Sequence, residues 1–253
     1  MSQVVVFSNQ KGGVGKTTLT RELGIYLSLK GKKVLLIDCD PQANLSRGLV
    51  EEEEVGLYQA LTGESLEITN ISSNLSLLSG HIRLASLEKS LIAEVDCYLR
   101  LRELLAREAF KKYELILVDT PPSLGVLTLN SLVAASHLVI PMRPALYTLQ
   151  GTNDLMHTVA KVRKSLNPQL ELLGVIINSL ESLPVISKEI KQEIQASFED
   201  KLFKSHLSKS IKIEEAIAEG KGLSQLKGSR YSKQKQEIEA IGEELLKRLG
   251  GGA

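Results

Sequence analysis

The chain reads as an α/β domain with a doubly wound, mostly parallel sheet and flanking helices. Three observations carry that reading. Short apolar runs without polar alternation recur at residues 4–7, 33–38, 75–78, 115–119, 137–141 and 172–177, the pattern of strands buried on both faces. Helical spacing fills the intervals between them. The first strand, helix and second strand fit within fewer than forty residues, a complete β-α-β unit, which requires parallel strands and a right-handed crossover.

Taken in order, Val4, Val5, Val6 and Phe7 form the first strand, and a glycine-rich turn follows. Leu19, Leu23, Tyr26, Leu27 and Leu29 then predict a helix over 17–30, with Gly31 where a left-handed residue ends a helix. The acidic run at 51–54 reads as a solvated loop or helix start and carries no assigned chemistry. Beyond residue 177 the texture turns helical and polar, with helices expected over 187–198, 211–219 and 232–249 and a frayed glycine end. The last of these places Ile238, Ile241, Leu245, Leu246 and Leu249 on one face, a stripe that fits a core. No repeat or linker divides the sequence, and 253 residues suit a single domain over 1–253 with a helical, basic C-terminal part from about 187.

Composition excludes several classes. With 43% apolar and 24% charged residues the chain is an ordinary globular one. It contains no run near the roughly 18 apolar residues of a spanning helix, and its start lacks the features of a signal peptide, so a cytoplasmic location is expected. Cys39 and Cys97 have neither disulfide-scaffold nor metal spacing and read as small buried apolar residues. His81, His137, His157 and His206 are equally scattered. The net charge of +1, taken as a whole, argues against a nucleic-acid partner.

Chemistry concentrates in three motifs. The first, Gln10-Lys11-Gly12-Gly13-Val14-Gly15-Lys16-Thr17-Thr18, lies between the first strand and the first helix. Its glycines let backbone N–H groups of residues 12–18 curl around a phosphate at the positive end of a helix. Lys16 adds a full charge on the β- and γ-phosphates, and Thr17 offers a hydroxyl to Mg²⁺. The strict G-x-x-x-x-G-K-[ST] pattern fails because Gln10 holds the first glycine position, and an additional lysine, Lys11, opens the loop. The second motif is Asp38-Cys39-Asp40-Pro41-Gln42, whose acids stand at the carboxyl end of a strand, where ligands bind in open α/β sheets. The third, Asp119-Thr120-Pro121-Pro122-Ser123, follows four apolar residues, and Asp119 suits Mg²⁺ held directly or through water.

These motifs resemble those of the ParA/MinD family of P-loop NTPases with a deviant Walker A loop. The resemblance extends over nearly the whole chain and implies an ATPase that uses ATP and Mg²⁺. It implies that Lys11 reaches across a homodimer formed on ATP binding to the partner's ATP, that Asp40 orients the attacking water, and that Asp38 lies near the metal with Thr17 and Asp119. Slow turnover is implied too. Asn178, in a loop after the 172–177 strand, is the candidate for reading adenine. A proline common in a later loop of the family is missing at the matching Leu207-Ser208-Lys209.

Within the family, an iron-protein reductase would need paired cysteines that Cys39 and Cys97 do not provide. A MinD-like positioning protein would end in a basic amphipathic helix for a membrane surface; the last helix here is mixed in charge, so stable membrane insertion is not expected, and this branch is the alternative. Chromosome or plasmid partition proteins of the ParA/Soj type are the better match. Residues 203–235 hold eight basic and three acidic side chains, net +5 in a chain whose total is +1. Lys204, Lys209, Lys227, Arg230, Lys233 and Lys235 are the candidates for nonspecific double-stranded DNA. The resemblance adds a ParB-like activator and a nucleoid-associated location.

Overall fold

A computed structural model describes residues 2–51, 55–144, 148–180 and 185–250. In chain order the elements are β1 (Gln3–Phe7), α1 (Lys16–Leu29), β2 (Val34–Asp38), α2 (Asn44–Arg47), α3 (Gly56–Thr62), β3 (Thr69–Ser72), β4 (Leu75–Leu78), α4 (Leu84–Leu91) and α5 (Arg100–Leu105). There follow β5 (Leu115–Asp119), α6 (Val126–Ala134), β6 (His137–Met142), α7 (Thr148–Ser165), β7 (Glu171–Leu180), α8 (Val185–Phe198), β8 (Leu207–Ser208), α9 (Lys212–Ala218) and α10 (Ser232–Gly250). Residues 52–54 of the acidic run and 251–253 of the glycine end lie outside the described residues.

The strands form one sheet in the order β3-β4-β2-β5-β1-β6-β7-β8, parallel except for β3 against β4. The expected doubly wound sheet is therefore present. After β1 the chain crosses toward β2 on one side, and after β5 it crosses toward β6 on the other. Their carboxyl ends thus border the crevice where such sheets bind ligands. Register brings the motifs together there, because Asp119 lies opposite both Phe7 and Asp38.

Side chains alternate between two apolar layers, as the pleat requires. Val4, Val6, Leu35, Ile37, Ile116 and Val118 face helices α3 to α7 through Leu57, Leu84, Leu101, Leu127 and Leu155. Val5, Phe7, Val34, Leu36, Leu115 and Leu117 face α1 and α10 through Leu19, Leu23, Leu27, Ile238, Ile241, Leu245 and Leu249. The apolar stripe of α10 is therefore occupied by α1 and the sheet. Helix α1 ends as its sequence predicts: Gly31 takes φ 86°, its N–H donates to Ser28 O at 3.0 Å, and the Lys32 N–H donates to Leu27 O at 3.1 Å, a Schellman closure.

Three features depart from expectation. β3 is a polar edge strand, Thr69-Asn70-Ile71-Ser72, with no apolar run to announce it. β8 has two residues, at the stretch aligned above with a family loop. β7 continues to Leu180, so Asn178 is a strand residue rather than a loop residue.

Candidate functional site

The phosphate-loop motif joins β1 to α1. Gly13 and Gly15 take φ 71° and 92°, left-handed values that an L side chain reaches only under strain. Gly15 is the N-cap of α1; no side chain caps that end and its first turn carries no acid, so its N–H groups and its positive pole are directed at whatever the loop encloses. Gly12 and Gly13 are exposed, while Val14 is buried. Asn9 braces the start of the loop by accepting the Lys11 N–H at 3.0 Å and donating Nδ2 to Pro141 O at 2.8 Å.

Lys16 is 6% exposed, and its Nζ donates to Asn9 O at 3.1 Å and Lys11 O at 3.3 Å. Burial lowers the pKa of its ammonium, opposed by the nearby Asp119 and Asp40 carboxylates. Thr17 Oγ1 donates to Asp119 Oδ2 at 2.6 Å. The other oxygen of Asp119, Oδ1, is buried with no hydrogen-bond partner. An orphaned carboxylate oxygen in the interior is costly, and burial, reinforced by Asp38, raises the Asp119 pKa well above the carboxylate range. A cation beside Thr17 would satisfy both defects, so this donor set fits Mg²⁺.

The acids of the second motif play different structural parts. Asp38, fully buried, accepts Asp40 N–H on Oδ1 at 3.1 Å and both Ser46 N–H and Ser46 Oγ–H on Oδ2 at 2.9 and 2.8 Å. Burial pushes its pKa up to about 6, against these hydrogen bonds. Both oxygens thus hold the turn between β2 and α2. Asp40, 8% exposed, accepts the Gln42 N–H at 2.9 Å through Oδ1. Between them and α2, Ala43 takes φ 53°, ψ 34°, a left-handed conformation disfavoured for a residue with a Cβ.

Asn178 is 4% exposed, and its Nδ2 donates to Val14 O at 2.8 Å. It supports the phosphate loop from beneath instead of projecting from a loop. Sequence reasoning missed this because the end of β7 was set at 177. It also missed Glu88 of α4, whose Oε1 accepts the Leu127 N–H at 3.3 Å where α6 follows the third motif.

The basic candidates do not form one cluster. Lys204 lines a groove in which Glu171, Asp200, Glu243 and Glu244 are balanced by Lys201, Lys247 and Arg248, at the starts of β6 and β7, the end of the sheet away from the phosphate loop. Lys209 follows β8, and Ser208 Oγ joins it to the first turns of α10 by donating to Glu237 and accepting from Gln234 Nε2 at 3.4 Å. Lys227, Arg230 and Lys233 are exposed and Lys235 half-buried. Arg230 lies over the Tyr231 ring at 4.5 Å and 3.9 Å from Glu219, which is also 3.6 Å from Lys221. Among the described residues no group of three His, Cys, Asp or Glu side chains could hold a metal, and no helix is long and apolar enough to cross a membrane. Cys39 and Cys97 are buried free thiols.

A protein-family model described as an AAA domain matches residues 2–172. The chromosome-partitioning ATPase Soj of Treponema pallidum is 38% identical over 249 residues, covering 95% of this chain and 98% of that protein. The sporulation initiation inhibitor protein Soj of Bacillus subtilis is 37% identical over 229 residues, with 87% and 90% covered. Among solved structures, cobyrinic acid a,c-diamide synthase from Mycobacterium smegmatis, crystallised with an ATP analogue and magnesium, superposes with a TM-score of 0.82 at 27% identity, covering 100% of this chain and 98% of that one. The name of that third protein denotes a different activity, so the fold by itself assigns no function. The three motifs and the two Soj sequences agree: the chain belongs to the ParA/Soj family of chromosome-partitioning ATPases.

Proposed function

We propose that this chain is a partition ATPase that uses ATP and Mg²⁺, forms a homodimer on ATP binding, binds double-stranded DNA nonspecifically in that state, and hydrolyses ATP slowly until a ParB-like partner stimulates it. The observation that carries the reading is the pairing of Thr17 with Asp119, whose second oxygen is buried and unpartnered, beneath an uncapped helix end and a loop with two left-handed glycines.

Mg²⁺ held at this site would supply charge neutralisation to the phosphates. The chain's residues position the reactants. Backbone N–H groups of residues 12–18 cradle the phosphates, and Lys16 exchanges its two carbonyl partners for phosphate oxygens. Thr17 and Asp119 would hold the metal. Asp38 acts one step back, as the residue that sets the turn carrying Asp40, and Asp40 orients the attacking water. Lys11 supplies a cation to the partner's ATP, which makes hydrolysis a property of the dimer. We assign Asn178 to support of the loop rather than to adenine.

DNA contacts are proposed for Lys209, Lys227, Arg230, Lys233 and Lys235; Lys204, in a groove at the starts of β6 and β7 where acids and bases balance, is left out of that set. The protein would work in the cytoplasm on the nucleoid, moving a chromosome or plasmid. The test is binding to random duplex with ATP and with ADP, beside ATP hydrolysis. Tight binding with ATP that weakens steeply with salt is expected; binding indifferent to both nucleotide and salt would refute the DNA part.

A further inference from the structure

Among the described residues, Arg21 and Glu22 form the one ion pair with both side chains almost fully shielded from water, at 2% and 1% exposure. They stand on α1, one turn beyond the phosphate loop, and neither touches the site described above. Arg21 donates Nε and Nη2 to Gly48 O at 3.2 and 3.1 Å, and Nη2 also to Lys221 O at 3.0 Å. Glu22 accepts Arg21 Nη1 on one oxygen and the Leu223 N–H on the other, at 2.7 Å.

These bonds tie three segments. Gly48 caps the end of α2, the helix that begins after Asp40 and carries Ser46, the partner of Asp38. Lys221 and Leu223 open the turn that leads to Lys227, Arg230 and Lys233. A guanidinium is a rigid planar fork, so the Gly48 and Lys221 carbonyls that share it keep a fixed relation. With both side chains almost fully shielded, a broken bond is not readily replaced, so a shift of one carbonyl is carried to the other. Ala43, in a left-handed conformation disfavoured for a residue with a Cβ, is the strained point of the turn that follows Asp40.

We infer that the Arg21–Glu22 pair couples the nucleotide-dependent position of the Asp40 turn to the basic segment that follows Lys221, so that it sets how strongly DNA affinity responds to ATP. The inference rests on the proposed ATP-gated DNA binding. It makes Arg21 and Glu22 positioning residues, not catalytic ones.

The test replaces the pair with apolar side chains of similar size, Arg21→Met with Glu22→Leu, which leaves no uncompensated buried charge. Duplex affinity is read by fluorescence anisotropy with ATP and with ADP, and hydrolysis is followed in parallel. The wild-type ratio of affinities, about 5- to 150-fold for a typical coupling, should collapse to within about twofold while hydrolysis without DNA persists. A folded variant that keeps the wild-type ratio overturns the inference. A wild-type protein with no ATP preference overturns the DNA reading instead. Hydrogen exchange on the wild-type protein judges the coupling without any variant: ATP should alter exchange in residues 44–50 and 220–226 together. A change confined to 44–50, or none in either, overturns it.

Discussion

Replacing Gly15 by alanine tests how the phosphate loop is held. At φ 92°, ψ 26° a Cβ costs about 1–2 kcal/mol. That Cβ would also stand 1.7 Å from Asn178 Nδ2 and 2.7 Å from its Cγ. The amide must move, abandoning Val14 O, and a buried carbonyl left unpaired costs a further ~1–3 kcal/mol. Gly13 is the internal control, because at φ 71° it meets no atom within 4 Å and Gly13→Ala carries the strain alone. Urea unfolding of the nucleotide-free protein should therefore find Gly15→Ala less stable than Gly13→Ala by ~1–3 kcal/mol, or about 2–12 °C in Tm for a chain of this size. In an Asn178→Ala background the excess should vanish, an interaction energy of ~1–3 kcal/mol in the double-mutant cycle. Equal losses at the two glycines, or additivity with Asn178→Ala within about 0.5 kcal/mol, would refute the reasoning.

Other consequences are as direct. Asp119→Asn should lower Mg²⁺-dependent hydrolysis by about 10²–10³-fold, the effect of a few kcal/mol of charge stabilisation, with circular dichroism unchanged; a loss under about tenfold would remove Asp119 from the metal site. Lys227→Ala and Lys233→Ala should each flatten the dependence of log affinity on log salt by about one, whereas Lys204→Ala should leave it alone; the reverse ranking, measured by anisotropy titration, would move the DNA surface. Cys39 is 2% exposed, and burial pushes its thiol up to about 12. At pH 8 its thiolate is scarcely populated, so a thiol reagent should label it only on unfolding, and labelling of Cys39 in the native protein within minutes would contradict its burial.

What the sequence made legible depended on local physics. Short apolar runs buried on both faces announce β1, β2, β4, β5, β6 and most of β7. The phosphate loop and the acids at strand ends are legible because their chemistry is fixed within a few consecutive residues. The rest needed tertiary partners. β3 is visible only through its antiparallel pairing to β4. Arg21 reads on a helix as a solvated charge until Gly48 and Lys221 are brought to it. The basic residues from 204 to 235 look like one patch along the chain, yet Lys204 stands near the starts of β6 and β7, whereas Lys209 follows β8, which pairs with the carboxyl end of β7. Asn178 looks free for a base until Val14 is found above it.

Central to the proposed function is Lys11, through which two chains would share the ATP sites. Sedimentation velocity of the wild-type protein and Lys11→Ala, each with ATP and Mg²⁺ and with hydrolysis followed in the same solutions, tests it directly. The wild-type protein should shift from monomer to dimer, while Lys11→Ala, without the cation proposed to cross to the partner, should stay monomeric and hydrolyse little. A wild-type protein that remains monomeric while hydrolysing ATP at its full rate would contradict the account.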